Sequence, residues 1–333
     1  MDIIKKSLKP LLFYGGLPRV KRTWRRLSSR HKIFILMYHK VSYNDKHFYG
    51  EAVKPDIFER QVIFLKKYYQ IVNLTDLKKM GFNQKQQKDI AVLTFDDGYR
   101  NNYDCAFPVL RKHKVPATIF LTTDYINTNH LLWYDRLAWI LNKAVFMPDK
   151  ATLIKYDIYP ELCAKINDFF TSGSSLRHNI LNYVAASLKT YPSERRDEIL
   201  SRLSNACKVN AWPENIERAM LSWDEVNEMS RHNISFGSHT KTHPVLSAIS
   251  LSESKNEIVE SKRVIEEKLQ QSVTTFAYPY GKKEDFNGNI TKILSDEGFE
   301  YACSTITGIE EYPLKAPLTL KRKGVALSPY LFY

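Results

Sequence analysis

Ile90-Ala91-Val92-Leu93-Thr94-Phe95-Asp96-Asp97-Gly98 decides how the rest of the chain is read. Its apolar start has the length and branched side chains of a buried strand, and it closes on two adjacent carboxylates. Neighbouring carboxylates at a strand end cannot share one role, so one can bind a metal while the other moves protons. Two Asp before Gly also suit a plain turn, because Asp tolerates the left-handed region, so partners elsewhere must decide. Far downstream, Ser238-His239-Thr240-Lys241-Thr242-His243-Pro244 sets two imidazoles four residues apart, where a helical turn would let both meet one ion. One of the two Asp, with His239 and His243, then makes a candidate metal site.

Working outward, strand and helix alternate. Ile33 to Tyr38 is a continuous apolar run that ends at His39, and Pro55 opens a helix with Ile57, Phe58, Val62 and Leu65 at helical spacing. Gln70-Ile71-Val72 reads as a short strand, Pro108 to His113 as a helix and Ala117 to Leu121 as a buried strand. From about Leu131 to Ser222 the pattern becomes helical, over 132–144, 159–170, 176–188 and 193–206. The alternation resumes with a helix at 223–231, a strand at 234–237, a long charged helix at 252–269 with Ser252 as its N-cap, a strand at 273–278, a helix at 289–297 and a strand at 301–304. This is an α/β chain. The division is a basic arm over 1–32, a main domain from 33–130 and 221–333, and a helical insertion over 131–220. His39, Asp96, Asp97, His239 and Tyr280 all fall at strand ends, where sites assemble in folds built of βα units.

A chain of 333 residues, 44% hydrophobic, can bury a large core, and its thinly spread glycines argue against a low-complexity or repeat protein. The net charge of +13 is concentrated at the start, where ten Lys and Arg before position 33 face Asp2 alone. The apolar stretch Leu11 to Leu17, flanked by Pro10 and Pro18, is far shorter than the ~20 residues a membrane span needs. Basic residues rather than a small-residue cleavage site follow it, which reads as no export signal. The expectation is an arm lying on an anionic membrane surface, with Leu11, Leu12, Phe13 and Leu17 at the headgroup boundary. A solvated basic tail is the plainer reading, and nucleic acid is not an expected partner because no recognition motif accompanies the charge. Cys105, Cys163, Cys207 and Cys303 are widely separated and fit reduced thiols of a cytoplasmic protein, peripheral on the inner membrane face.

The motifs resemble those of the polysaccharide deacetylases, the NodB homology domains of carbohydrate esterase family four. Thr94-Phe95-Asp96-Asp97-Gly98 looks like the family's first motif, His239 to His243 like its second, and Tyr278-Pro279-Tyr280-Gly281 like its third. The resemblance covers roughly 33–125 and 220–325. It implies a distorted (β/α) barrel that removes N-acetyl groups from amino sugars with a divalent metal, most often zinc. By the family's pattern Asp97, His239 and His243 hold the metal, Asp96 takes a proton from the attacking water, and the backbone N–H of Tyr280 donates to the oxyanion. Two departures matter. The family's third-motif Arg, which orients the base, is replaced by Ala277, leaving Arg100 and Arg322 as candidate substitutes. The general-acid His that normally lies near the C-terminus is absent there, and Leu36-Met37-Tyr38-His39 looks like that element in circularly permuted order, as in the poly-N-acetylglucosamine deacetylases. His39 would then protonate the leaving amine, a task that suits imidazole near neutral pH.

The expected substrate is an N-acetylated sugar in a polysaccharide, an oligosaccharide or a lipid-linked glycan. Two His and one carboxylate are also the ligands of non-haem iron oxygenases, and a catalytically silent glycan-binding module is the third reading. Ser238 lacks a nucleophile elbow. His31, His47, His113, His130, His178 and His232 have no such company and read as surface or core residues. Trp133, Tyr134 and Trp139 could stack on sugar rings, although packing is the commoner fate of aromatics at helical spacing.

Overall fold

A computed structural model describes residues 31–43, 50, 52–80, 88–146, 160–210 and 218–325. The strands are β1 (Lys32–Tyr38), β2 (Gln70–Ile71), β3 (Ile90–Phe95), β4 (Ala117–Leu121), β5 (Ile234–Ser238), β6 (Thr275–Ala277), β7 (Tyr301–Thr307), β8 (Glu310–Glu311) and β9 (Leu320–Gly324). The helices are α1 (Pro55–Tyr68), α2 (Phe107–His113), α3 (Trp133–Ala144), α4 (Pro160–Thr171), α5 (Ser174–Lys189), α6 (Ser193–Ala206), α7 (Trp223–Ser230), α8 (Leu251–Leu269) and α9 (Gly288–Asp296).

Hydrogen-bonded neighbours run β3-β4-β5-β6-β7-β9-β1, and β1 returns to β3 in register from Ile33 opposite Ile90 to Tyr38 opposite Phe95. Every pairing in that ring is parallel, so seven strands close into a barrel without a free edge. The short strands β2 and β8 sit outside the ring, on β3 and β1. Alternation then sorts the side chains. Ile33, Ile35, Ile90, Val92, Phe120, Ala277, Cys303 and Leu320 form one cluster inside the barrel. Their sequence neighbours Leu36, Ala91, Leu93, Ile119 and Leu121 pack outward on Phe58, Val62 and Leu65 of α1 and Ile258 of α8. Gly237 of β5 keeps the interior open, because a Cβ there would lie 2.6 Å from the Phe120 ring.

A third cluster belongs to α3–α6, the four described helices between β4 and α7, centred on Leu137, Ile140, Leu141, Ile166, Val184, Leu188 and Leu200. Trp133, Tyr134 and Trp139 are buried in it, so packing and not sugar stacking is their part. Two local readings are corrected. The N-cap of the long charged helix is Ser250, not Ser252, because Ser250 and Glu253 close a reciprocal capping box. The strand expected over 273–278 is confined to Thr275–Ala277, and β8 and β9 were not anticipated. The basic arm proposed as a membrane contact lies outside the described residues apart from its last two positions. No described helix is long and apolar enough to cross a membrane.

Candidate active site

The C-terminal strand ends gather the candidate residues. Asp97 and Gly98 leave β3 in left-handed conformation, φ 76° and 83°, and a Cβ on Gly98 would press on Ile126 and Leu121. The Asp96 N–H donates to the Tyr38 carbonyl at 3.0 Å, which ties the end of β3 to the end of β1 where His39 begins.

Asp97, His239 and His243 converge, their ligand atoms within 4.8 Å of one another and all three side chains buried. The helical turn expected to bring the imidazoles together is absent. Residues 239–243 form a loop with Thr240 at φ 66° and His243 at φ 62°, and β-branched Thr in that region is strained. Hydrogen bonds hold it there. The Glu257 carboxylate of α8 accepts from the Lys241 N–H, the Thr242 N–H and the Thr242 hydroxyl at 2.7–2.9 Å, and Thr240 Oγ1 accepts from the His243 N–H at 3.1 Å.

The set fits a metal on its own geometry. Both Nε2 atoms stand 3.4 Å from Asp97 Oδ1, yet this buried oxygen makes no hydrogen bond. Ligands about 2.1 Å from a tetrahedral zinc are separated by about 3.4 Å. His239 Nδ1 lies 2.7 Å from the Ala277 carbonyl, and donation there leaves Nε2 with its lone pair toward the cluster. Burial holds His243 below the ordinary histidine value, keeping its imidazole neutral and able to ligate.

Asp96 is a separate buried carboxylate held by Arg322 of β9. The guanidinium donates from Nη1 to Oδ1 at 2.7 Å and from Nη2 to Oδ2 at 2.6 Å, a bidentate pair inside the barrel. Nη1 also reaches Thr94 Oγ1, and Nε donates to the Ser304 carbonyl. Burial pushes the Asp96 carboxyl up, but Arg322 outweighs it and the net shift is downward, so Asp96 is ionised. Of the two candidate substitutes for the third-motif Arg, Arg322 is therefore the one at Asp96. Arg100 instead stands 3.3 Å from Asp104. His39 Nε2 lies 3.9 Å from Asp96 Oδ2 with its side chain 44% exposed, open to a ligand from outside.

Tyr280 follows β6 at φ 59°, between Pro279 and a left-handed Gly281. Its ring meets the His243 ring at 4.9 Å, and burial pushes its phenol up, keeping the hydroxyl protonated. Of two residues around it, Trp133 was read in the sequence only as a sugar-stacking or packing aromatic, and Lys189 was missed. The Trp133 indole N–H donates to the Tyr280 hydroxyl at 2.7 Å, and the Lys189 ammonium sits 4.3 Å from the ring centroid. Trp133 carried a signal as an aromatic at a helix start, whereas Lys189 is one helix-terminal lysine among many.

Barrel and rim together define a NodB-type (β/α) barrel enzyme. The family description Polysaccharide deacetylase fits residues 83–168 and 169–302. The chain belongs to the polysaccharide deacetylase family. It is 22% identical over 287 residues to YxkH of Bacillus subtilis, a protein named for a polysaccharide deacetylase, covering 86% of this chain and 68% of that one. It is 31% identical over 108 residues to the poly-beta-1,6-N-acetyl-D-glucosamine N-deacetylase of Staphylococcus epidermidis, covering 28% of this chain and 37% of the other. Among solved structures, the Streptococcus pyogenes deacetylase PplD, in complex with acetate, superposes with a TM-score of 0.55 at 19% identity over 90% of this chain and 96% of that one.

Proposed function

We propose that the protein is a metal-dependent hydrolase that removes N-acetyl groups from an amino sugar in a glycan. The observation that carries this is the convergence of Asp97, His239 and His243 on one point beside an Arg-held Asp96. Asp97, His239 and His243 would hold a divalent ion, zinc by the nature of the donors, which when bound supplies polarisation of the amide carbonyl and a more acidic water.

The remaining chemistry belongs to side chains and backbone. Asp96, kept ionised by Arg322, takes the proton of the attacking water, and Arg322 fixes the direction its oxygens face. The Tyr280 N–H donates to the oxyanion as the amide carbon becomes tetrahedral, in a backbone setting made rigid by Pro279. His39, exposed at the mouth, gives its proton to the departing amine. Residues 131–220 act on this reading as a helical insertion into a barrel built from 33–130 and 221–333. The substrate on this reading is poly-N-acetylglucosamine, a shorter oligosaccharide or a lipid-linked glycan, with the basic arm of 1–32 resting on an anionic membrane.

Acetate release from β-1,6- and β-1,4-linked N-acetylglucosamine oligomers and from lipid-linked glycans tests the activity. Release should cease on chelation, return with added metal and be absent in Asp97→Ala. Persistent release by metal-stripped Asp97→Ala would overturn the assignment.

A further inference from the structure

The side chain and the backbone of Tyr280 belong to different parts of the molecule. Its backbone lies at the barrel rim, where the carbonyl accepts from the Thr305 hydroxyl at 2.6 Å and φ is 59°. Its ring packs against the core of α3–α6. A non-glycine residue at that φ is held at a cost of order 1–3 kcal/mol, so neighbours must fix it.

We propose that Trp133 and Lys189, from the helices between β4 and β5, are positioning residues that fix the Tyr280 backbone for the reaction. The inference rests on the deacetylase reading for its kinetic consequence but not for its structural one. Trp133, the first residue of α3, anchors the hydroxyl end through its indole N–H. The Arg196 guanidinium of α6 covers the Trp133 ring at 5.1 Å and limits its rotation. Lys189, the last residue of α5, places its ammonium over the Tyr280 face while pairing with Asp285 Oδ1 at 2.6 Å.

Asp285 closes the circuit. It is 3% exposed, and its other oxygen accepts from the Lys282 N–H at 2.9 Å, so Lys189 grips the 278–285 loop at two points, the Tyr280 ring and the Asp285 carboxylate. Tyr280 is thereby clamped at its tip, its face and its following loop by groups the barrel does not supply. The helices then contribute to catalysis without touching the acyl group, through the direction of one backbone N–H.

The test compares Trp133→Phe, Lys189→Met, Lys189→Arg, Tyr280→Phe and the Trp133→Phe/Tyr280→Phe double variant. Hydrogen exchange of the peptide spanning 278–286 should quicken about tenfold in Trp133→Phe and Lys189→Met, with peptides from β1 and β3 unchanged. On an N-acetylglucosamine oligomer, kcat should fall about 10- to 100-fold with KM within a factor of about two. Lys189→Arg should recover most of the loss. The double variant should be no slower than the slower single one, because both remove the same hydrogen bond. Unchanged exchange in both variants, or additive losses in the double one, overturns the proposal. Quickened exchange in the two variants, together with a wild-type protein that releases no acetate, would leave the clamp standing and remove the deacetylase reading. Active wild type with unaltered kcat and exchange in the variants would do the reverse.

Discussion

Arg322 and Asp96 form a buried bidentate pair, and removing one partner of such a pair leaves an uncompensated charge that costs about 3–5 kcal/mol. Asp96 must be ionised to accept a proton. Its carboxyl is held below the ordinary value, so kcat/KM should decline only as pH falls through that lowered value. The stability contributed by the pair is likewise present above the ordinary carboxylate value and lost through the lowered one. In Arg322→Met the largest influence opposing burial is gone and only the weaker ones of His239 and His39 remain, so the acid limb of the pH–rate profile should move to higher pH and the melting temperature should drop. An unmoved limb would remove Arg322 from the tuning of Asp96. The candidate site residues were legible as motifs because each sits in a short run with a fixed pattern. The contact between Arg322 and Asp96 was legible only as one of two options beside Arg100, since 226 residues separate the pair and Leu320-Lys321-Arg322-Lys323 looks like solvated charge. Its alternation held the clue, because Leu320 and Arg322 share one face.

Glu257 shows how one element governs another's ligands. The helix α8 was readable from its length and charge, but the role of a single carboxylate on it was not, because three hydrogen bonds to residues 241–242 arise from packing over β5. Glu257→Ala should leave the helix intact and release the loop that carries His239 and His243. The expected result is a metal affinity lower by about 10- to 100-fold in a competition titration, with far-ultraviolet dichroism unchanged. Wild-type affinity would mean that the loop holds its left-handed residues without α8. The continuous apolar runs of β1, β3 and β4 were plain in the sequence. β6 shrank because three residues suffice to join β5 to β7, and the helical pairing imagined for His239 and His243 failed because spacing alone does not specify backbone conformation.

At the scale of the molecule, the barrel and the helices α3–α6 keep separate apolar cores joined by polar contacts. One joint is Lys40 with Asp135, 3.0 Å apart with side chains 3% and 1% exposed, where Tyr99 also donates to Asp135 at 2.6 Å. Lys40 follows His39, so the joint also steadies the mouth of the site. Asp135→Ala should destabilise the protein by about 3–5 kcal/mol in urea titrations, whereas Lys40→Met/Asp135→Leu should recover most of that loss. Equal losses in both would show that the ion pair itself, not the charge left behind at Lys40, matters. Six of the seven ring strands were legible and β9 was not, while the permuted place of His39 was visible as an apolar run ending in His. Closure between the last strand and the first was not, since register between distant segments leaves no local mark. Asp97, Thr240, His243 and Tyr280 all hold left-handed backbone. Four side-chain-bearing residues in that region, at about 1–3 kcal/mol each, are a store of strain that the surrounding hydrogen bonds must contain, so the rim should be the first part of the barrel to open in mild denaturant, ahead of β1 and β3 in hydrogen exchange.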